Sequence, residues 1–439
     1  MKMLKIAAVC AALLAVLLLS NRLGIVRGQQ GRTPGEGFAA VPGVKGGHDV
    51  FGPYDPVRNW PKPLAEGRPD HQGWTWSQAT DVFPESADRV IVAQKGELPV
   101  LPAGRGGPQT TWLPQLGPSM RFPVGIGVPL REAASATPSC GDLPRPTPPN
   151  PNCAAVDASD GRPGVDWRWE HLIVVFDRNG NMIEDWRQYD KIWGRPHDVE
   201  ISPYDPQKRV FIVDADNHFV TVFSNDGKQR LLTLGTPGVL GDDDTHFRRP
   251  TFLAFMDANT WYLADGYDNT RVIKYDMAGK KLMQWGQAGT PPNEKRPAHW
   301  NNVHGIAVNP QTRRVYVNDR ANGRVQVFDE NGKFLDEWNT GPRPPMNIHT
   351  IFMGQDGKLW AADQGSNKLV GYDAQGHFVY SWGTYGTCQG CQWGVHGFAT
   401  DADGNLYTSE VRGGRVQKYA PRQGANPEFL VAKPFKGVW

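Results

Sequence analysis

The chain of 439 residues has only five cysteines and almost no net charge, with 47 basic side chains against 45 acidic ones. A formal charge of +2 removes the electrostatic footing of a protein that grips nucleic acid through phosphate contacts. Charged residues at 21% and hydrophobic ones at 39% form an ordinary globular balance, which excludes a disordered chain. Turn chemistry is what the chain has in plenty: Gly 50 and Pro 37 together approach a fifth of it. That is too much for a helical bundle and natural for many short strands joined by turns. Its 16 tryptophans suit pleated, half-buried surfaces. The length alone suggests two or three domains, but closed all-β architectures run long as one unit. One large all-β domain is therefore expected.

Lys2 and Lys5 precede an apolar run from Ile6 to Leu19, and Asn21, Arg22 and Arg27 follow it. A spanning helix needs roughly 20 apolar residues, so this run reads as a secretory signal over residues 1–28. No small-x-small cleavage site follows, which keeps an uncleaved membrane anchor as the second reading. Either way the remainder is expected to be exported, periplasmic or secreted, with residues 29–70 an extended segment and 71–439 the folded body. Export makes the four remaining cysteines read as two disulfides. Cys140–Cys153 would close a loop in a Pro-rich stretch. Cys388-Gln-Gly-Cys391 has the spacing of a redox or metal motif, but no second such pair and no βαβ pattern accompanies it. A short structural disulfide before His396 is the reading adopted.

From about residue 71 the chain repeats itself. One element is a strand ending in an aromatic, a tight Gly turn and a return strand. It reads Val174-Val-Phe-Asp-Arg-Asn-Gly180, Val222-Phe-Ser-Asn-Asp-Gly227, Ile273-Lys-Tyr-Asp-Met-Ala-Gly279, Val327-Phe-Asp-Glu-Asn-Gly332 and Val370-Gly-Tyr-Asp-Ala-Gln-Gly376. Glycine supplies the positive φ of tight hairpin turns. Trp186, Trp285, Trp338 and Trp382 close four of the return strands. A second hairpin opens at Thr80-Asp-Val82, His197-Asp-Val199, Thr251-Phe-Leu253, His304-Gly-Ile306, His349-Thr-Ile351 and His396-Gly-Phe398. These openings are spaced 117, 54, 53, 45 and 47 residues apart. The long first interval holds a Pro/Gly-rich insertion over about 101–165. Repeats of about 40–50 residues with four short strands each describe a β-propeller, here all-β with six blades. The run Glu428-Phe-Leu-Val431 is expected to complete the last blade or close the ring. The pattern resembles the NHL-repeat class of six-bladed propellers.

Most of the 11 histidines carry no special signal: His48, His71, His171, His218, His246, His299 and His377 read as ordinary polar residues. His197, His304, His349 and His396 occupy one slot of the repeat, at the entry to the innermost hairpin, which faces the channel of a propeller. His197, His304 and His396 fall on blades two, four and six, related by about 120° around the axis. Three imidazoles converging there leave one position open, the arrangement of a catalytic zinc centre. The competing reading has them hydrogen-bonding channel waters. His349, on blade five, could be a fourth ligand, a supporting group or a proton-transfer residue.

At these residues the chain resembles the peptidyl-α-hydroxyglycine α-amidating lyases. The likeness covers blades two to six and, more weakly, Trp74 to Leu98. Arg195-Pro-His197, Val303-His304 and Val395-His396 are similar to that family's three zinc-histidine segments. By resemblance, Tyr267 in Asp265-Gly-Tyr-Asp-Asn-Thr-Arg271 takes the role of catalytic tyrosine. Arg320 in Asp319-Arg-Ala-Asn-Gly-Arg324 takes that of the active-site arginine. Lys95 stands where the family has an arginine and keeps the charge without the fork. Gly394 replaces a methionine, and Gly397 replaces an aspartate that helps hold a structural calcium. Asp81 and Asp198 share that slot on blades one and two, so the carboxylate, and possible calcium, is expected to have moved across the channel. The resemblance implies zinc, a small-molecule or peptide substrate, a monomer, and cleavage of a carbinolamide C–N bond. Two other readings stand beside it. One is a non-catalytic NHL propeller that binds a ligand through loops such as Trp382-Gly-Thr-Tyr-Gly386. The other is a calcium-dependent lactonase-like hydrolase, against which the histidine register counts.

Overall fold

A computed structural model describes residues 48–49, 51–99, 110–112, 121–123, 168–291, 294–341, 347–386 and 388–435. The signal or anchor segment, most of the 101–165 insertion and the Cys140–Cys153 pair lie outside the described residues. No helix among the described residues is long and apolar enough to cross a membrane.

The architecture is a six-bladed β-propeller in which each blade is an antiparallel sheet of four strands. Blade one is built from Ala79–Ser86, Arg89–Gln94, Ile173–Phe176 and Met182–Asp185, so the insertion separates its second and third strands. Blade two runs Pro196–Ile201, Val210–Asp214, Phe219–Phe223 and Arg230–Leu234, and blade three Pro250–Phe255, Thr260–Asp265, Arg271–Asp276 and Lys281–Trp285. Blade four runs Val303–Asn309, Arg314–Asp319, Arg324–Asp329 and Phe334–Asn339. Blade five comprises Ile348–Met353, Leu359–Asp363, Lys368–Tyr372 and Phe378–Trp382, with His48–Asp49 added in parallel at its outer edge. The first strand of each blade lines the axis.

The ring is closed differently from the expectation. Blade six contributes Val395–Thr400, Leu406–Glu410 and Arg415–Pro421 from the C-terminal part of the chain, and its outer strand is Tyr54–Pro56. The propeller therefore begins before residue 71. The run Glu428–Val431 forms no strand: Pro427–Phe429 is a 3-10 turn capped by the Asn426 side chain. Phe429 and Val431 are buried as plugs in the apolar seam between blades five and six.

Six apolar clusters hold the ring, each lying between two neighbouring blades. A fully buried Val, Leu, Ile or Phe in such a seam contributes roughly 1.5–3 kcal/mol. The two repeated sequence signals meet at these seams. A Cβ on Gly227, at φ +68°, would lie 2.1 Å from the Trp186 indole, and one on Gly376 would lie 2.3 Å from that of Trp338. The tryptophan closing one blade thus sits against the turn of the next, and only glycine leaves it room there.

Candidate metal centre

Each inner strand changes register at its opening, so one or two residues escape the ladder. The register skips Thr80, His197, Thr251-Phe252, His304-Gly305, His349-Thr350 and His396. A bulge re-aims the side chain it carries, and here all six bulges point to one end of the axis. In five of the six blades a carboxylate ending the second strand then fixes the loop entering the slot. Asp214 accepts from the N–H of Gly194 and Arg195, Asp265 from Arg248, Asp319 from Asn301, Asp363 from Asn347 and Glu410 from Trp393. Sequence reasoning overlooked this device, although the same strand position is acidic in five blades.

His197, His304 and His396 are buried, and their rings stand 5.1, 4.6 and 5.2 Å apart, centre to centre. Each Nδ1 meets a main-chain carbonyl of the following blade: Thr251 at 3.0 Å, His349 at 2.6 Å and Thr80 at 2.6 Å. A carbonyl only accepts, so each Nδ1 carries the hydrogen and each Nε2 keeps a lone pair. Even-numbered blades supply the imidazoles, and odd-numbered blades supply the acceptors that orient them. Burial drives all three rings toward the neutral form, with His396 held at about 3. Neutral, carbonyl-oriented imidazoles with ligand atoms within 4.8 Å of one another are a donor set suited to zinc.

The Tyr267 hydroxyl lies 3.0 Å from His197 Nε2 and 2.8 Å from His304 Nε2. Guanidinium groups of Arg249, Arg195 and Arg320 stand 4.6, 4.8 and 5.5 Å from its ring centre. Arg195 and Arg249 share the buried Asp216, at 3.0 and 3.1 Å. Burial pushes the Asp216 carboxyl up, but Arg195, Arg249, Lys95 and His218 outweigh it and hold it at about 2. Lys95 is fully buried and enters the site through Asp216. Phe252 faces all three histidine rings at 4.9, 5.3 and 5.5 Å and floors the centre. Arg195 and Arg249 could have been found in sequence, since Arg-Pro precedes the slot residue on both blades two and three.

His349 lies beside the triad, its ring 5.2 Å from that of His304 and 5.5 Å from that of His396. Arg320 Nη1 is 3.4 Å from its Nδ1 and the Asn347 amide 3.2 Å from its Nε2, while its carbonyl orients His304. Asp81 and Asp198 lie deeper along the axis, fully buried, and hydrogen-bond to each other. Their other oxygens accept from Val199 N–H at 2.9 Å and Leu253 N–H at 2.8 Å. Burial raises both carboxyls, Asp81 to about 6 and Asp198 well above its ordinary range. Cys388 and Cys391 are bonded to each other in the loop before His396. Gly394 adopts φ +69° under the Arg412 side chain.

Fold and site together define a six-bladed propeller with a three-histidine centre at one end of its channel. Residues 301–328 match the NHL repeat family. The chain is 29% identical over 269 residues to peptidyl-alpha-hydroxyglycine alpha-amidating lyase 1 of Drosophila melanogaster, covering 56% of this chain and 48% of the relative. It is 28% identical over 301 residues to NHL repeat-containing protein 3 of Homo sapiens, covering 63% and 81%. A match to peptidyl-glycine alpha-amidating monooxygenase A of Xenopus laevis, 28% identical, covers 52% of this chain and 24% of the relative. The chain thus spans half the length, or less, of the amidating relatives named first and third. A streptogramin B lyase structure is similar with a TM-score of 0.42 and 12% identity, over 79% of this chain and 94% of that one. The chain is a six-bladed β-propeller that carries one NHL-repeat match and is similar in sequence to proteins named as peptidyl-alpha-hydroxyglycine alpha-amidating lyases.

Proposed function

We propose that the chain is an exported zinc-dependent lyase that cleaves the C–N bond of a carbinolamide, releasing an amide and glyoxylate or a similar aldehyde acid. The observation that carries this reading is the Tyr267 hydroxyl held between two bare Nε2 atoms of the histidine centre. His197, His304 and His396 would hold the metal. Zinc, when bound there, would lower the pKa of a coordinated substrate hydroxyl.

The residues of the chain account for the remaining requirements. With its own proton already released, the Tyr267 oxygen accepts the substrate hydroxyl proton, the O–H electron pair closes to a carbonyl, and the C–N bond breaks with its pair leaving on nitrogen. The tyrosine then returns that proton to the departing amide nitrogen. Arg320, half-buried over the tyrosine ring, holds the substrate carboxylate by paired charge-assisted hydrogen bonds. Arg195 and Arg249 are already tied to Asp216 and hold the tyrosine ring from its other sides. Phe252 closes the floor against water.

A calcium ion would be held by Asp81 and Asp198. The Glu200 carboxylate is coupled to both and adds a third acidic group beside them. Export rests on the basic start and the Ile6–Leu19 run, and the chain would act as a monomer on a peptide or small molecule. The second reading is a non-catalytic ligand-binding propeller, since the chain is equally similar to a relative named only for its NHL repeats. Incubating the protein with an N-acyl-α-hydroxyglycine and following glyoxylate separates the two. Release that disappears in Tyr267→Phe supports the lyase, and no release by zinc-loaded protein refutes it for this substrate class.

A further inference from the structure

A second histidine cluster lies on blade one, away from the channel, built from residues that carry no repeat signal. Among the described residues, only it and the channel triad bring three potential ligands within 4.8 Å of one another. Its members are His71, His171 and Glu170. His71 ends the 3-10 turn Pro69–His71, which lies between the outer strand of blade six and the first strand of blade one. Glu170 and His171 lie where the chain re-enters blade one after the insertion. Between the rings stands Glu97, fully buried on the short strand Glu97–Pro99 that pairs with Trp74–Trp76.

Glu97 decides how the rings are presented. Its Oε2 is 2.8 Å from His71 Nδ1, and its Oε1 meets His171 Nδ1. A carboxylate between two imidazoles accepts a hydrogen from each, so both Nε2 atoms are left with lone pairs. His71 Nε2 then looks toward Glu170 Oε2 at 3.7 Å and Asp70 Oδ2 at 3.5 Å, which are acceptors too. His171 Nε2 is buried without a hydrogen-bond partner, with Asp185 Oδ2 3.8 Å away. One proton on His71 would relieve that ring's edge and still leave His171 Nε2 bare. A cation satisfies both. His171 also has φ +59°, a conformation uncommon outside glycine, and the Asp190 carboxylate fixes it by accepting its N–H at 2.9 Å.

The surroundings fit this assignment. Arg68 ties down Asp70 and Asp185, holding those carboxylates at the rim. Arg168, stacked on Trp74, stands on the same edge of His71 as Glu97, where its charge acts on the Glu97 carboxylate. Glu170 is partly exposed, which leaves an entry path for an ion. Two imidazoles and a carboxylate, oriented by a further carboxylate on Nδ1, form a donor set for zinc or a similar divalent ion.

We propose that His71, His171 and Glu170 form a second, structural divalent-metal site, which fastens the segment joining the outer strand of blade six to blade one to both roots of the blade-one insertion. This site is independent of the channel chemistry.

The test is a titration of the full-length, metal-free chain with cobalt(II) chloride, followed by ligand-field absorption and thermal unfolding. In His304→Ala, which disables the channel centre, one equivalent should still bind and raise the melting temperature. Adding Glu170→Gln or His71→Asn should weaken that equivalent about tenfold or more. A His304→Ala chain with native circular dichroism that binds no cobalt overturns the proposal. So does one equivalent whose affinity neither substitution alters. If His304→Ala does not fold, the comparison is made with an otherwise native chain. There Glu170→Gln should reduce the tightly bound equivalents by one, and an unchanged stoichiometry and affinity overturns the site.

Discussion

Asp81 Oδ1 lies 1.9 Å from the point that a Cβ on residue 397 would occupy. The carboxylate of blade one therefore fills the volume left by the glycine that follows His396 on blade six. A side chain of blade one thus occupies the space beside the main chain of blade six.

Gly397→Ala should consequently destabilise the fold by about 1–3 kcal/mol, the usual cost of overpacking. Removing the carboxylate as well, in Asp81→Gly/Gly397→Ala, should recover a large part of the steric term. A double-mutant cycle by urea unfolding measures the coupling. Additive effects would show that the two positions do not compete for space.

Tyr267→Phe removes one hydroxyl and nothing else that packs. The rings of His197 and His304 keep their carbonyl partners, so metal content and unfolding midpoint should stay close to native. Turnover should fall roughly 10²- to 10⁴-fold, the range for a lost general base. Zinc content and kcat measured on the same sample check both halves.

His218 sits behind the site, where its Nδ1 accepts the Arg249 N–H at 3.2 Å. Burial, opposed by Asp216, lowers this imidazole from 6.5 to about 4. The folded value is depressed, so the stabilisation is present above about pH 6.5 and is lost as pH falls toward 4. Native protein should lose at most about 1.4 kcal/mol per pH unit through this residue in that window. His218→Gln should remove that share of the slope, as read from urea unfolding at pH 7, 6 and 5, on the order of one proton's difference.

Tyr54 clasps the ring shut. It is fully buried, its hydroxyl accepts the Val431 N–H at 2.9 Å, and it stands on the strand that completes blade six. Tyr54→Ala should cost about 3–5 kcal/mol, in the range for deleting a buried aromatic ring. Circular dichroism melting measures it, and a loss below about 1 kcal/mol would argue against this closure.

The parts of this molecule legible in sequence were those written in every repeat. Turn glycines such as Gly227 and Gly376 and closing tryptophans such as Trp186 and Trp338 recur at fixed spacing, because each seam needs the same local contact. The histidine slot was legible for the same reason. Tyr54–Pro56 was not: three residues with one proline carry no periodicity, and their partner is more than 360 residues away. Phe429 and Val431 misled because an apolar run can plug a seam as well as extend a sheet. Asp216 and Phe252 belong to the site through geometry that only the closed ring creates. His71 and His171 are joined by Glu97, which no spacing rule connects to either.

The most direct test of the central claim is glyoxylate release from an N-acyl-α-hydroxyglycine by chelator-stripped protein, before and after zinc is restored, alongside His304→Ala. The account predicts no release from the stripped chain, recovery on adding zinc, and none from the variant at any zinc concentration. Undiminished release by the variant, or no release from the zinc-restored native protein, would contradict it.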